Sequence, residues 1–182
     1  MLWWLLLGAG VLLLVACVLL YNRLVKLRNR VDNAWSQVDV QLRRRYDLIP
    51  NLVATVKAYA SHESETFEAV VKARDGARSA ATITEQGMAE SVLTGAIGNL
   101  LAVAEAYPEL RSVERFADLQ EELARTEDKI SISRHIYNDT TLNYNDATTT
   151  IPTNLIAGLA GFSRRDYFQA EENSRQAPEV KM

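Results

Sequence analysis

Leu2–Tyr21 reads LWWLLLGAGVLLLVACVLLY, twenty residues with no ionisable side chain apart from Cys17 and Tyr21. A helix of that length rises about 30 Å, the thickness of a bilayer's hydrocarbon core. Lipid offers the backbone no hydrogen-bond partners, so a lone spanning segment has to be helical. Trp3 and Trp4 at one end and Tyr21 at the other are amphipathic rings of the kind that settle at the two water interfaces. Residues 1–21 therefore read as an uncleaved transmembrane anchor.

Charge gives the anchor a direction. Residues 1–21 carry no Lys or Arg, whereas 22–45 carry Arg23, Lys26, Arg28, Arg30, Arg43, Arg44 and Arg45 against Asp32 and Asp39, a net +5. The remaining 137 residues hold 13 basic and 21 acidic side chains, a net −8. Positive charge beside a span stays on the cytoplasmic side. The expectation is a bacterial inner-membrane protein with a short N-terminus outside and its body in the cytoplasm. Two competing readings fit less well. A cleaved signal wants a basic start and a shorter apolar stretch. Leu14-Val15-Ala16-Cys17 has the form of a lipobox, yet no basic residue precedes it and Val18-Leu19-Leu20 continues the apolar run. As the only cysteine, Cys17 forms no intrachain disulfide.

The soluble remainder suits one domain. Eight glycines and four prolines punctuate the whole chain, and no alternating strand pattern stands out. Leu24, Leu27, Val31, Ala34 and Val38 recur at steps of three and four, a helical seam close to a heptad. Nothing between Tyr21 and Leu24 breaks a helix, so the span is expected to run straight into the cytoplasm. Leu42, Ile49, Val53, Val56 and Ala60 extend the stripe, with a kink or a break expected over 45–49 because Pro50 removes an N–H. The stripe then reads as continuing to about Ala81. Residues 80–84 read as a connection, with Thr84 capping a helix to Tyr107 that Gly87, Gly95 and Gly98 weaken or fit to a close neighbour.

Pro108 is expected to end that helix and Glu109 to open the next. In it Val113, Phe116, Gln120, Leu123, Glu127, Ile130, Arg134, Tyr137, Thr141, Tyr144 and Thr148 form a seam with polar interruptions, unless Leu119, Ala124 and Ile132 take over burial there. Tyr137-Asn138-Asp139 recurs as Tyr144-Asn145-Asp146 after seven residues, which reads as two turns of a packed seam with the phenol oxygens at its rim. Thr148 to Pro152 should stop the helix. Residues 154–162 form a short apolar hairpin that either covers the bundle or dips into the membrane surface. The fold expected is all-α: an anchor over 1–21, an elongated antiparallel bundle of about four helices over 22–168, and a disordered tail over 169–182.

The stretches Tyr21-Asn22-Arg23-Leu24-Val25, 27–42 (LRNRVDNAWSQVDVQL) and Arg44-Arg45-Tyr46-Asp47-Leu48-Ile49-Pro50-Asn51-Leu52-Val53 resemble the signature of LemA proteins. Further matches are 104–110 (AEAYPEL), 119–123 (LQEEL), 126–130 (TEDKI), Tyr137-Asn138-Asp139 and Tyr144-Asn145, so the likeness covers nearly the whole chain. It implies a bacterial single-pass membrane protein with a bundle of long helices, and no reaction or catalytic residues. Thr140-Thr141-Leu142 departs from the more aliphatic run expected and puts the packing of that turn in question.

Chemistry is sparse. A di-iron bundle needs Glu-x-x-His on two helices, but His62 and His135 follow Tyr59 and Ile132 at that spacing. Gly95-Ala96-Ile97-Gly98 lacks the rest of a phosphate loop. No cofactor, metal or catalytic residue is expected. Trp3, Trp4, Tyr21, Arg23, Lys26, Arg28 and Arg30 are expected at the membrane interface, where a basic residue near anionic lipid is worth on the order of 1 kcal/mol. Arg43, Arg44 and Arg45 stand about 35 Å further along a straight helix. With Tyr137 and Tyr144 they form a candidate interaction patch, an acidic surface on another subunit being the first candidate partner. Nucleic acid is not, because the acidic body opposes phosphate. Two function classes follow: a non-catalytic scaffold binding other proteins or its own copies at the membrane, and a lipid-binding module acting through the basic segment.

Overall fold

The structure, a computed structural model, describes residues 2–168; the tail expectation for 169–182 lies outside them. Six helices follow one another with no strand among the described residues: α1 Leu2–Lys57, α2 Ser64–Ser79, α3 Ile83–Glu105, α4 Pro108–Arg111, α5 Glu114–Thr149 and α6 Thr153–Ala160. The chain is all-α, with four long helices and two short ones.

α1 runs 56 residues without a break, a rod of about 84 Å. Its side chains are exposed through most of the apolar run, and burial begins at Leu24 and recurs at Val31, Ala34, Val38, Leu42, Ile49, Leu52 and Val56. The division expected near residue 21 thus falls inside one helix rather than at a linker. α5 lies antiparallel along α1 and shares the largest interface with it. The register shows in three contacts: Leu24 clusters with Ala147, Trp35 meets the Tyr137 ring edge-on at 5.3 Å, and Arg45 pairs with Glu127. α2 folds back on the end of α1, α3 packs chiefly on α2, and α4 returns the chain to α5.

Pro50 leaves the helix unbroken. Its missing N–H orphans the carbonyl of Tyr46, four residues back, and the Arg74 Nε–H of α2 donates to that oxygen at 2.8 Å. A neighbouring helix thus supplies the bond the proline removed.

Other boundaries differ from the expectation. The stripe does not run on to Ala81: the chain turns over 58–63, closed by Tyr59 N–H to Val56 O at 3.0 Å and Glu63 N–H to Ala60 O at 3.2 Å. Neither Gly nor Pro marks that turn. Thr82, not Thr84, caps α3 in a reciprocal box in which Glu85 N–H donates to Thr82 Oγ1 and Thr82 N–H to the Glu85 carboxylate, each at 3.2 Å. α3 ends at Glu105, Pro108 begins α4 as its first residue, and α5 opens at Glu114 instead of Glu109.

Along α5 the polar entry Gln120 is exposed, and Glu127, also exposed, reaches in to Arg45. Burial there passes to Thr126 and Ser133, while Ala124 and Ile132 are exposed and Leu119 is half-buried. Thr126 tolerates burial by returning its hydroxyl to Glu122 O at 2.8 Å. In the turn that departs from the family pattern, Thr141 is buried and Leu142 points out. Gly95 and Gly98 adjoin no close neighbour within the chain, since a Cβ at either meets nothing within 4 Å.

Replacing Arg74 with Leu should cost about 1–3 kcal/mol, the penalty for an unpartnered buried carbonyl. The double variant Pro50→Ala/Arg74→Leu should recover most of it, because an alanine N–H reaches Tyr46 O within the helix. Denaturant unfolding in detergent checks both; a double variant no better than Arg74→Leu would assign Arg74 another role.

Candidate functional site

The densest polar chemistry lies inside the bundle. Arg45, only 3 % exposed, points from α1 between α3 and α5. Its Nη1 lies 3.1 Å from a Glu90 oxygen and 3.2 Å from a Glu127 oxygen, and its Nη2 donates to Thr94 Oγ1 at 2.8 Å. The Tyr46 hydroxyl donates to the other Glu90 oxygen. Gln86 Nε2 donates to that same oxygen at 3.1 Å, to the Tyr46 hydroxyl at 2.8 Å, and to Ala77 O at the end of α2 at 3.0 Å. All four long helices meet here.

Burial pushes the Glu90 carboxyl above the ordinary carboxylate range, against the pull of the Tyr46 hydrogen bond, the Arg45 charge and Gln86. Burial also raises the Tyr46 phenol, helped by the Glu90 charge. Arg45, Tyr46 and Gln86 together give the buried Glu90 carboxylate three donors. The cluster acts as a pin: removing either Arg45 or Glu90 strands the other in the interior, so one alignment of the helices is favoured over its neighbours.

The Tyr-Asn-Asp repeat makes the second device. After α6 the chain runs back along α5 without regular structure over 162–168. Asn145 donates to Arg165 O at 2.9 Å and accepts from Arg165 N–H at 2.8 Å, and Asn138 does the same for Phe168 at 3.0 and 2.9 Å. Tyr144 OH donates to Ser163 O at 2.9 Å and Tyr137 OH to Asp166 O at 2.7 Å. Seven helical residues rise about 10.5 Å and three extended residues advance about 10 Å. A seven-residue repeat on α5 therefore matches a three-residue step on the returning segment. Burial raises both phenols. Phe168 is buried against Trp35 with ring centres 5.8 Å apart.

The third feature is the collar where α1 leaves its apolar run. Arg23, Lys26, Arg28 and Arg30 are all exposed. Gly161 takes the left-handed conformation (φ 72°) that ends α6 and returns Phe162 onto Tyr21 at 5.6 Å, with Arg28 lying 5.3 Å over the Phe162 ring. Trp3 and Trp4 are exposed at the far end of the run.

The five residues read as an interaction patch do not form one exposed surface. Arg43 pairs with Asp39 on its own helix at 2.6 Å, Arg44 pairs with Glu122 of α5, and Arg45 is interior. Tyr137 and Tyr144 are buried, their hydroxyls turned to backbone carbonyls rather than to a rim. The acidic partners of Arg44 and Arg45 belong to this chain, where another subunit was expected. Sequence reasoning missed Glu90, Gln86, Asn138 and Asn145. A carboxylate and an amide one turn apart, Gln86 and Glu90, on a largely apolar helix, and the asparagine beside each repeated tyrosine, were the available signals. Among the described residues no three His, Cys, Asp or Glu side chains converge as metal ligands would.

An all-α bundle pinned by interior polar contacts, carried on a helix apolar and long enough to cross a membrane, is a structural class defined by its frame. The chain belongs to the LemA family, whose model matches residues 34–182. It is 29 % identical over 175 residues to magnetosome protein MamQ 2 of Paramagnetospirillum magneticum, covering 82 % of this chain and 64 % of that protein. It is 28 % identical over 194 residues to magnetosome protein MamQ of Magnetospirillum gryphiswaldense, covering 90 % and 71 %. To protein LemA of Metamycoplasma hominis it is 24 % identical over 155 residues, covering 85 % and 71 %. The chain thus spans about two thirds of the length of these relatives.

Asn145→Ala should speed hydrogen exchange at the Arg165 amide more than at Phe168, and Asn138→Ala the reverse; equal effects would mean the segment opens as one unit. Arg45→Met should cost about 3–5 kcal/mol, since it strands Glu90 in the interior. Because burial raises Glu90, the folded state holds its proton more tightly than the unfolded chain. That contribution is complete below the ordinary value of 4.5 and is lost as pH rises through the raised folded value. The unfolding midpoint of Glu90→Gln should therefore change less with pH above 4.5 than that of the unaltered protein, measured by thermal melts in one detergent.

Proposed function

We propose that the protein is a membrane-anchored, non-catalytic scaffold that joins copies of itself, and through them other proteins, at the inner face of a bacterial inner membrane. The carrying observation is the unbroken α1. Because the apolar run and the bundle share one helix, the body is held at a set distance from the apolar run rather than on a tether. The basic collar supports a cytoplasmic body. The names of the relatives, magnetosome protein and LemA protein, specify no reaction and fit an organising task.

The outer face of α3 offers the surface for a second copy. Met88 and Val92 stand one turn apart at 60 % and 64 % exposure, and Gly95 one turn further leaves the backbone open to close approach. Two differently tagged copies expressed together should co-purify in mild detergent, and Met88→Glu/Val92→Glu should abolish this without lowering the melting temperature. A strictly monomeric particle would remove self-association from the proposal. Protease added to intact cells should leave the body undigested, and digestion would reverse the orientation.

A further inference from the structure

The membrane-proximal end of the bundle exposes apolar side chains that its interior does not use. Leu24 of α1 lies level with Ala147 of α5. α5 ends at Thr149, so Ile151 stands in the connection to α6 at this same end of the bundle. α6 then crosses this end of the bundle. Ala157 is buried with Leu24, and Phe162 meets Tyr21 at 5.6 Å. On the side away from that contact, Leu155 and Leu159 stand one turn apart on α6 and are 65 % and 88 % exposed, and Ile151, in the connection just before α6, is 82 % exposed. α6 has no charged residue, while Arg23, Lys26, Arg28, Arg30 and Arg164 are exposed around it.

We propose that Ile151 and α6 form an interfacial foot: it lies in the lipid leaflet that α1 leaves, with Ile151, Leu155 and Leu159 at the acyl boundary. The basic collar then rests on anionic headgroups. This rests on reading residues 2–21 as a span. Three observations select lipid as the occupant. The stripe is continuous with the apolar run, it sits at the level of the interfacial Tyr21, and the charges around it are complementary to an anionic bilayer. A single helix passing through lipid leaves the tilt and rotation of what it carries free. A second contact beside it removes that freedom, so the foot fixes which face of the bundle looks along the membrane.

The test uses the full chain carrying Cys17→Ser, reconstituted in vesicles of phosphatidylethanolamine and phosphatidylglycerol. A nitroxide is attached in turn at Leu159→Cys, at Leu12→Cys in the span, and at Val40→Cys, a 59 % exposed position on the bundle. Accessibility to oxygen is compared with accessibility to a water-soluble nickel chelate. The Leu12 and Leu159 labels should both favour oxygen several-fold more than the Val40 label. A Leu159 label that behaves like Val40 while Leu12 favours oxygen overturns the foot and leaves the span standing. A Leu12 label open to the nickel chelate overturns both. A Leu159 label shielded from both reagents, with dipolar broadening between labels on different copies, assigns α6 to a second copy and overturns the lipid assignment.

Discussion

Everything above the apolar run depends on α1 staying helical through Pro50. The proline strips one rung from the ladder and would leave Tyr46 O bare in the middle of the rod. Arg74 fills that place from α2 at 2.8 Å, and its neighbourhood shows why the location matters. Tyr46, which carries the orphaned carbonyl, and Arg45 beside it are the residues of α1 that reach Glu90. A break here would part the end of α1, with Leu52 and Val56, from the buried cluster, and α2 would lose the surface it folds back on.

Polar side chains do the aligning. Along α1 and α5 the apolar seam alone would tolerate a slip of one heptad, because a leucine or valine finds a similar groove one repeat along. Arg45 between Glu90 and Glu127 has no equivalent position after such a slip. The Asn138 and Asn145 pairs add a second alignment, of the returning segment on α5. Each amide satisfies both the N–H and the C=O of one residue, so recognition is of backbone and not of side chains. The segment is held by spacing, and Phe168 packs against Trp35.

Much of the frame was legible in the residues. Steps of three and four from Leu24 to Val38 gave the buried face of α1, and the lack of a breaker after Tyr21 gave its continuity. The misread boundaries share a cause. The turn at 58–63 carries no Gly or Pro; it exists because α2 gains more by folding back onto α1 than by extending into water. Thr82 was passed over for Thr84 although Glu85 completes the capping box only with Thr82. Buried Thr126 and Ser133 could not be told from their exposed neighbours, because small hydroxyls that bond their own helix fit either environment.

What the sequence determined by itself is set by period and polarity: an apolar run of spanning length, a cationic collar beside it, and helices with one apolar stripe each. These follow from local rises and from the cost of burying charge, so they need no partner to be read. Pairing was decided only by the tertiary structure. Arg43, Arg44 and Arg45 are consecutive and chemically alike, yet one points to water, one to Glu122 and one into the interior, because successive helical residues are rotated about 100° from each other. The partners of Arg44 and Arg45 lie 45 to 82 positions away in the chain. Only packing four helices together could say which arginine is a surface charge and which is the pin.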